Sequence, residues 1–222
     1  MKAAAIIVAG GSGKRFGSKT PKQFLLLRGK PVFLWSAETF ASIKVFKQII
    51  IAVPQNLLGL LAKKYPQFSF AAGGKERFDT VKNALALIDK DIDYTAVHDA
   101  ARPLINRLDI LAVLKKAVKC KGAIAAEKTK DTIKTVKSGY VKNTLDRSVL
   151  YNAQTPQIFA ANTLFKAYSK TVPKATTDDS ALVENLGVKI SVAQTKFPNF
   201  KITTKTDFAL AKLILSAPNS RI

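Results

Sequence analysis

The sequence predicts an α/β protein with a doubly wound, mostly parallel sheet, and three observations carry that expectation. Short, unbroken apolar runs at residues 3–7 and 49–53 have the form of strands covered on both faces. Stretches with apolar residues on one helical face alternate with them. The loops that leave these runs are rich in glycine and charge, and ligands of such sheets bind outside the carboxyl ends of the strands.

In chain order, residues 3–7 form a first strand that leads into Gly10, Gly11 and Gly13 and the cations Lys14 and Arg15. Residues 32–43 carry helical spacing with Trp35 on the core side. Residues 49–53 are a strand ended by Pro54, residues 56–64 a helix and residues 68–72 another strand. Gly73-Gly74-Lys75-Glu76-Arg77 is a second glycine loop, followed by Phe78, Val81, Ala84, Leu85 and Ile88 on one helical face. Residues 94–97 form a short strand that delivers His98-Asp99-Ala100-Ala101-Arg102-Pro103. Asn106 caps the next helix, with Ile110, Leu111, Leu114 and Val118 inward and Gly122 closing it before a strand at 123–126.

At Thr132 the alternation stops. Residues 132–136 and 140–145, joined by Lys137-Ser138-Gly139, predict a β-hairpin with no helix to cover it, a form suited to a dimer arm. Residues 151–159 are then extended, with a helix from about Asn162. Thr177-Asp178-Asp179 opens a helix that Gly187 ends. Strands are expected at 189–194 and 200–203, and Thr206 caps a final amphipathic helix through Ser216. The whole reads as a single domain over residues 1–222 with the arm at about 130–150.

With 47% hydrophobic residues, 222 residues supply a sizeable core. The single cysteine, Cys120, excludes an intramolecular disulfide and a cysteine-rich metal site, and a reducing, cytoplasmic setting is expected. The single histidine, His98, excludes a histidine-based zinc site and reads as structural. The apolar run after Lys2 is too short for a signal peptide, and no run approaches the ~20 residues of a membrane span. A net charge of +21 raises a nucleic-acid-binding alternative. The lysines are spread along the chain with no aromatic-rich or helix-turn-helix pattern, so the expected partner is a small anionic substrate, with no nucleic acid and no membrane.

The opening loop is built for phosphate: its glycines let successive N–H groups point at an anion, and Lys14, Arg15, Lys19 and Lys22 surround it with charge. It is not a Walker A loop, which needs Gly-Lys-Ser/Thr at its end. Nor is it the dinucleotide fingerprint, since Phe16 stands where the third glycine belongs. Asp99, at a strand end beside a basic loop, either holds Mg²⁺ against a triphosphate or caps the turn before Arg102. No nucleophilic serine is flanked by glycines. Two glycine loops, several cations and one carboxylate suit phosphoryl or nucleotidyl transfer, with Arg15, Lys22 and Lys201 as candidate clamps.

These stretches together resemble the 2-C-methyl-D-erythritol 4-phosphate cytidylyltransferases. The matching motifs are AGGSGKRF with PKQ (9–23), GGKERFDTV (73–81), HDAARP (98–103), KDTIK (130–134), LDRSVLYNAQTPQ (145–157), TDDSALVE (177–184) and NFKITTKTD (199–207). The resemblance implies a Rossmann-like, glycosyltransferase-A-like nucleotidyltransferase with a protruding β-hairpin dimerisation arm. It also implies Mg²⁺ as cofactor, a homodimer, and transfer of CMP from CTP to the phosphate of methylerythritol phosphate.

By the same resemblance Arg15 and Lys22 match the essential cations, with Lys201 beside them at the α-phosphate. Ala9, Gly10, Gly11, Gly13, Gly74 and Thr80 hold the nucleotide. Asp99 serves the metal and, with Arg102, Thr132, Arg147 and Thr155, the acceptor, Thr132 and Arg147 reaching it from the neighbouring subunit's arm. The chain departs from the family pattern at Lys75, where an aspartate is common, at Pro198, and at Gly10, where many members have alanine. The sibling ribitol 5-phosphate cytidylyltransferases share AGG and NFKITT, while HDAARP and KDTIK favour the isoprenoid branch.

Overall fold

The structure is a computed structural model that describes residues 1–11, 16–17, 20–170 and 178–217. Chain order runs β1 (Ala3–Val8), β2 (Leu26–Leu27), β3 (Lys30–Pro31), α1 (Val32–Ala41), β4 (Phe46–Val53), α2 (Gln55–Lys64) and β5 (Ser69–Ala72). It continues through α3 (Arg77–Leu85), β6 (Tyr94–Asp99), α4 (Arg107–Cys120), β7 (Gly122–Lys128), β8 (Lys134–Lys137) and β9 (Tyr140–Thr144). Last come β10 (Tyr151–Ala160), α5 (Ala161–Tyr168), α6 (Asp179–Glu184), β11 (Ser191–Gln194) and α7 (Lys205–Ile214).

Seven strands form one sheet in the order β11-β7-β10-β6-β1-β4-β5. All neighbours are parallel except β10, which runs antiparallel to both β6 and β7. The expected α/β class with a mostly parallel sheet is borne out. Alternation along β1 sorts its side chains between two cores. Ala3, Ala5 and Ile7 join Phe33 and Phe40 of α1 and Ile110, Val113 and Leu114 of α4. Ala4 and Ile6 join Val81 and Ala84 of α3, Leu164 of α5 and Val183 of α6. Helices thus cover both faces, as the unbroken apolar strands require.

A third apolar cluster stands apart from these two. Phe16, Leu27, Val32, Trp35, Ile202 and Ala211 form it, with Leu25, Leu104, Phe200, Phe208 and Leu215 packed at its rim. The Trp35 indole N–H donates to the Leu27 carbonyl at 3.0 Å, so the ring is core with its polar end satisfied.

Several expectations are corrected. Asn106 caps α4, its side chain accepting the Leu108 N–H at 2.7 Å, but Val118 is exposed and Val113 and Ala117 take the inward face. The spacing Ile110, Val113, Leu114, Ala117 keeps one helical stripe, and Val118 lies one residue off it. The helix closes at Lys121, in the left-handed region at φ 64°, rather than at Gly122. Gly122 instead begins β7, where an added Cβ would lie 2.6 Å from Ile190 Cδ1.

Residues 200–203 form no strand; the segment's backbone is tied inward by the Ile202 N–H, which donates to the Ala101 carbonyl at 2.8 Å. Thr204, not Thr206, caps α7. Its hydroxyl accepts the Asp207 N–H, while the Asp207 carboxylate takes the N–H groups of Thr203 and Thr204. Those donors override partial burial and hold the Asp207 carboxyl down at about 2. Thr177 lies outside the described residues, and Asp178 caps α6, accepting the Ala181 N–H at 3.1 Å.

The hairpin is present as β8 and β9, with Ser138 at φ 51° and Gly139 at φ 83° in the turn, the two positive φ values of a type I′ turn. Its Val136, Tyr140 and Val141 are exposed by 60%, 80% and 63%.

Candidate active site

The carboxyl ends of β1 and β6 and the loop after β5 converge on a cleft of about 570 Å³. Its first wall is Gly10 and Gly11, which follow β1. The Gln23 side-chain amide donates to the carbonyls of Ala9 at 2.7 Å and Gly11 at 2.6 Å, pinning this backbone from below. Gln23 belongs to a 3₁₀ turn, Lys22–Phe24, that also brings Lys22 to the cleft with only 8% exposure.

The second wall is the loop after β5. A Cβ at Gly10 would lie 3.2 Å from Thr80 Cγ2 and 3.3 Å from the Gly73 Cα, so the two glycine loops pack backbone to backbone. At Gly74 a Cβ would fall 2.1 Å from the Asp79 Cβ, which only glycine avoids. The Thr80 hydroxyl donates to the Glu76 carbonyl at 3.0 Å and accepts the Gly74 N–H at 3.0 Å, fixing the loop on the first turn of α3.

Asp99 ends β6 at the cleft floor, 9% exposed. Lys201 Nζ stands 2.8 Å from its Oδ2, Arg77 Nε 3.6 Å from its Oδ1 and Arg102 Nε 3.8 Å from its Oδ2. Burial alone would raise its pKa, but Lys201, then Arg77 and Arg102, hold the carboxyl well below the ordinary range. Asp99 is therefore ionised at neutral pH.

Arg77 is itself gripped from behind. Its guanidinium makes a bidentate pair with the fully buried Asp179, at 2.8 and 2.6 Å, and the Tyr168 hydroxyl donates to the same carboxylate. Burial acts to lower the Arg77 pKa, yet Asp179 and then Asp99 keep it above its usual value. Removing one partner of such a buried pair costs about 3–5 kcal/mol. Gln157 of β10 ties the start of α6 to the sheet, donating to Asp178 at 2.7 Å and accepting the Ser180 N–H at 2.9 Å.

Beneath Asp99, the β10–β7 ladder is interrupted between Ala153 and Gln157, and Thr155 turns toward β6. Its hydroxyl accepts the Asp99 N–H at 3.0 Å and donates to His98 Nδ1, 3.2 Å away. His98 Nε2 lies 3.1 Å from the Arg102 carbonyl, which can only accept, so Nε2 carries the proton. Burial pushes the imidazole down to about 4, keeping it neutral. This agrees with the structural role expected of His98. As the chain's single histidine, it offers a clean test: its ring resonances should not titrate between pH 8 and 5. A midpoint near the ordinary 6.5 would contradict the assignment.

Among the expected site residues, the structure brings Gly10, Gly11, Lys22, Gly74, Thr80, Asp99 and Lys201 to one cleft. Ala9 lies just below, contributing its carbonyl to Gln23. Arg102 and Thr155 underlie Asp99, with Arg102 Nη1 donating to the Asn199 carbonyl at 2.7 Å. Thr132 and Arg147 stand exposed on the arm, Arg147 Nη1 donating to the Lys130 carbonyl at 2.7 Å, and neither lines the cleft. Gly13 and Arg15 lie outside the described residues. Gln23, Arg77 and Asp179 were not among the expected site residues.

The sequence pattern of the family described as IspD, 2-C-methyl-D-erythritol 4-phosphate cytidylyltransferase, matches residues 3–217. A relative of that name from Endomicrobium trichonymphae is 62% identical over 219 residues, covering 98% of this chain and 100% of its own. The chain belongs to this family. A second cytidylyltransferase, from Caldicellulosiruptor saccharolyticus, is 42% identical over 97% of this chain and 98% of its own. The crystal structure of the 4-diphosphocytidyl-2C-methyl-D-erythritol synthase of Anaerococcus prevotii superposes with a TM-score of 0.84 at 27% identity, covering 97% of this chain and 99% of that one.

In this member of the cytidylyltransferase family Lys75 lines the cleft, while Pro198 lies away from it. Among the described residues no group of three or more His, Cys, Asp and Glu is placed to hold a metal. Asp99 is a single hard oxygen donor, which fits Mg²⁺ completed by waters and phosphate oxygens and does not fit zinc. No described helix is long and apolar enough to cross a membrane.

Proposed function

We propose that the protein transfers CMP from CTP to 2-C-methyl-D-erythritol 4-phosphate, releasing pyrophosphate and 4-diphosphocytidyl-2-C-methyl-D-erythritol for non-mevalonate isoprenoid synthesis. The reading rests most on one observation: paired glycine loops and the cations Lys22, Arg77 and Lys201 line one cleft together with the ion-paired carboxylate of Asp99. The cytidine lies along Gly10, Gly11 and Gly74, and the triphosphate toward Lys22 and Lys201. Asp99 would hold Mg²⁺, which would supply charge neutralisation for the phosphates.

An oxygen of the acceptor phosphate attacks the α-phosphorus, and the bond from that phosphorus to the bridging oxygen breaks as pyrophosphate leaves. The attacking phosphate is already largely dianionic, since its second pKa is about 6, so no general base is needed. Neither His98, which is buried and neutral, nor Asp99, which is ion-paired, is placed to serve as one. The chemical difficulty is bringing two anions together, and Lys22 and Lys201, joined by Arg15, offset that repulsion.

The chain acts as one nucleotidyltransferase domain, residues 1–222, in the cytoplasm. Two copies pair through the arm, whose Val136, Tyr140 and Val141 are apolar and exposed. Thr132 and Arg147 then reach the partner's acceptor. On this reading, heterodimers of Arg147→Ala with Lys22→Ala regain part of the activity that each homodimer lacks; verified heterodimers without recovery would show that sites are not shared.

CTP, Mg²⁺ and either methylerythritol phosphate or ribitol 5-phosphate, incubated separately with the protein, test the assignment. Pyrophosphate release is expected with the first acceptor at the higher kcat/KM. Faster turnover of ribitol phosphate would transfer the protein to the sibling reaction.

A further inference from the structure

We propose that the third apolar cluster is a positioning unit for the cleft's cations, with Phe208 of α7 as its key positioning residue; this rests on the cytidylyl-transfer reading. The two large cores hold the sheet and its helices, and Asp99 is fixed by them through β6. Arg77 rides on α3 against the second core, but Lys22 and Lys201 come from elsewhere. Lys201 directly precedes Ile202, which is fully buried in the third cluster. The Lys22–Phe24 turn runs straight into Leu25 and Leu27 of the same cluster. Phe16 of the opening loop, next in sequence to Arg15, is the cluster's third arm. Arg102 is followed two residues later by Leu104, again at the cluster's rim.

The segments that carry Lys22 and Lys201 therefore meet in one small apolar cluster, although Phe24 of the Lys22 turn also touches Phe33 of the first core. The helix α7 closes it. Ala211 is fully buried there, and the Phe208 ring meets Phe16 edge to face with centroids 6.2 Å apart. Both ends of α7 are tied: the Thr204–Asp207 capping box fastens its start, and Arg28 Nη1 donates to the Ser216 hydroxyl just past its end. The helix packs on β2 and not on the main sheet, so its packing bears on the segments of Lys22 and Lys201 rather than on β6. A side chain removed from this cluster should loosen the spacing between the cations and Asp99 while leaving β6 in place. Catalysis by fixed charges is sensitive to displacements of this size.

The test compares Phe208→Ala with Ile88→Ala, which opens the second core beyond the far end of α3 from the cleft. Wild-type turnover of CTP with methylerythritol phosphate reports on the functional reading itself. Binding of inorganic pyrophosphate, followed by calorimetry, reports on the cations whether or not the acceptor is right. Phe208→Ala is expected to lower kcat/KM for CTP at least tenfold and to weaken pyrophosphate binding at least fivefold. Phe208→Tyr, which keeps the ring, should recover most of both, and Phe208→Leu should fall between. Ile88→Ala should lower Tm by a similar amount and change neither quantity more than twofold. Pyrophosphate binding within twofold of wild type in Phe208→Ala and Phe208→Leu, or an equal loss in Ile88→Ala, would overturn the proposal.

Discussion

Lys22→Ala is expected to lower kcat by about 10²–10³-fold, the scale for removing one preorganised charge stabiliser, while CTP binding weakens far less. Lys22 is held at 8% exposure by the 3₁₀ turn that also presents Gln23 to the glycine loop. A cation so fixed costs no reorganisation when charge builds at the α-phosphorus, and its effect concentrates in the transition state. The fold should survive, because the pinning of Ala9 and Gly11 comes from Gln23. Steady-state kinetics beside CTP calorimetry check this. A rise in the CTP KM with kcat unchanged would mean that Lys22 serves only ground-state binding.

Asp99→Asn should cost a similar factor in kcat, with the opposite signature in nucleotide affinity. The substitution leaves Lys201, Arg77 and Arg102 without their shared carboxylate, so the field in the cleft becomes more positive. A triphosphate should then bind at least as tightly as before, although the carboxylate proposed to hold Mg²⁺ is gone. Asparagine still offers an oxygen to Lys201, and the Asp99 backbone N–H keeps its bond to Thr155. Unchanged kcat, or CTP affinity lost in parallel with activity, would contradict this placement of Asp99.

The strands that read clearly from sequence were those whose apolar runs are buried on both faces, residues 3–7 and 49–53. β4 begins earlier than its apolar run because Phe46-Lys47-Gln48 continues the ladder with polar side chains. β6 reaches Asp99, two residues past its expected end, because His98 and Asp99 are polar residues buried for the site rather than for the core. β2 and β3 are two residues each and leave no periodic trace. Residues 200–203 have strand-like composition, yet Phe200 and Ile202 are apolar because they enter the third cluster, and the segment joins none of the described sheets.

The cleft residues carried by glycine loops were legible, since the close approach at Gly74 demands glycine and that at Gly10 leaves room for little more. The Arg77–Asp179 pair was not. Its members are 102 residues apart, and nothing in the pattern of either segment announces the other. Gln23 has the same character: its two backbone bonds exist only once the chain has turned back on itself.

At the centre stands a single displacement at the α-phosphorus, driven by fixed charges with no enzyme nucleophile. Its most direct test is the stereochemical course with one diastereomer of CTP carrying sulfur at the α-phosphorus, read by ³¹P NMR of the product. Inversion of configuration is the expected result. Retention would require two displacements through a covalent nucleotidyl-enzyme and would contradict the assignment of Lys22, Asp99 and Lys201.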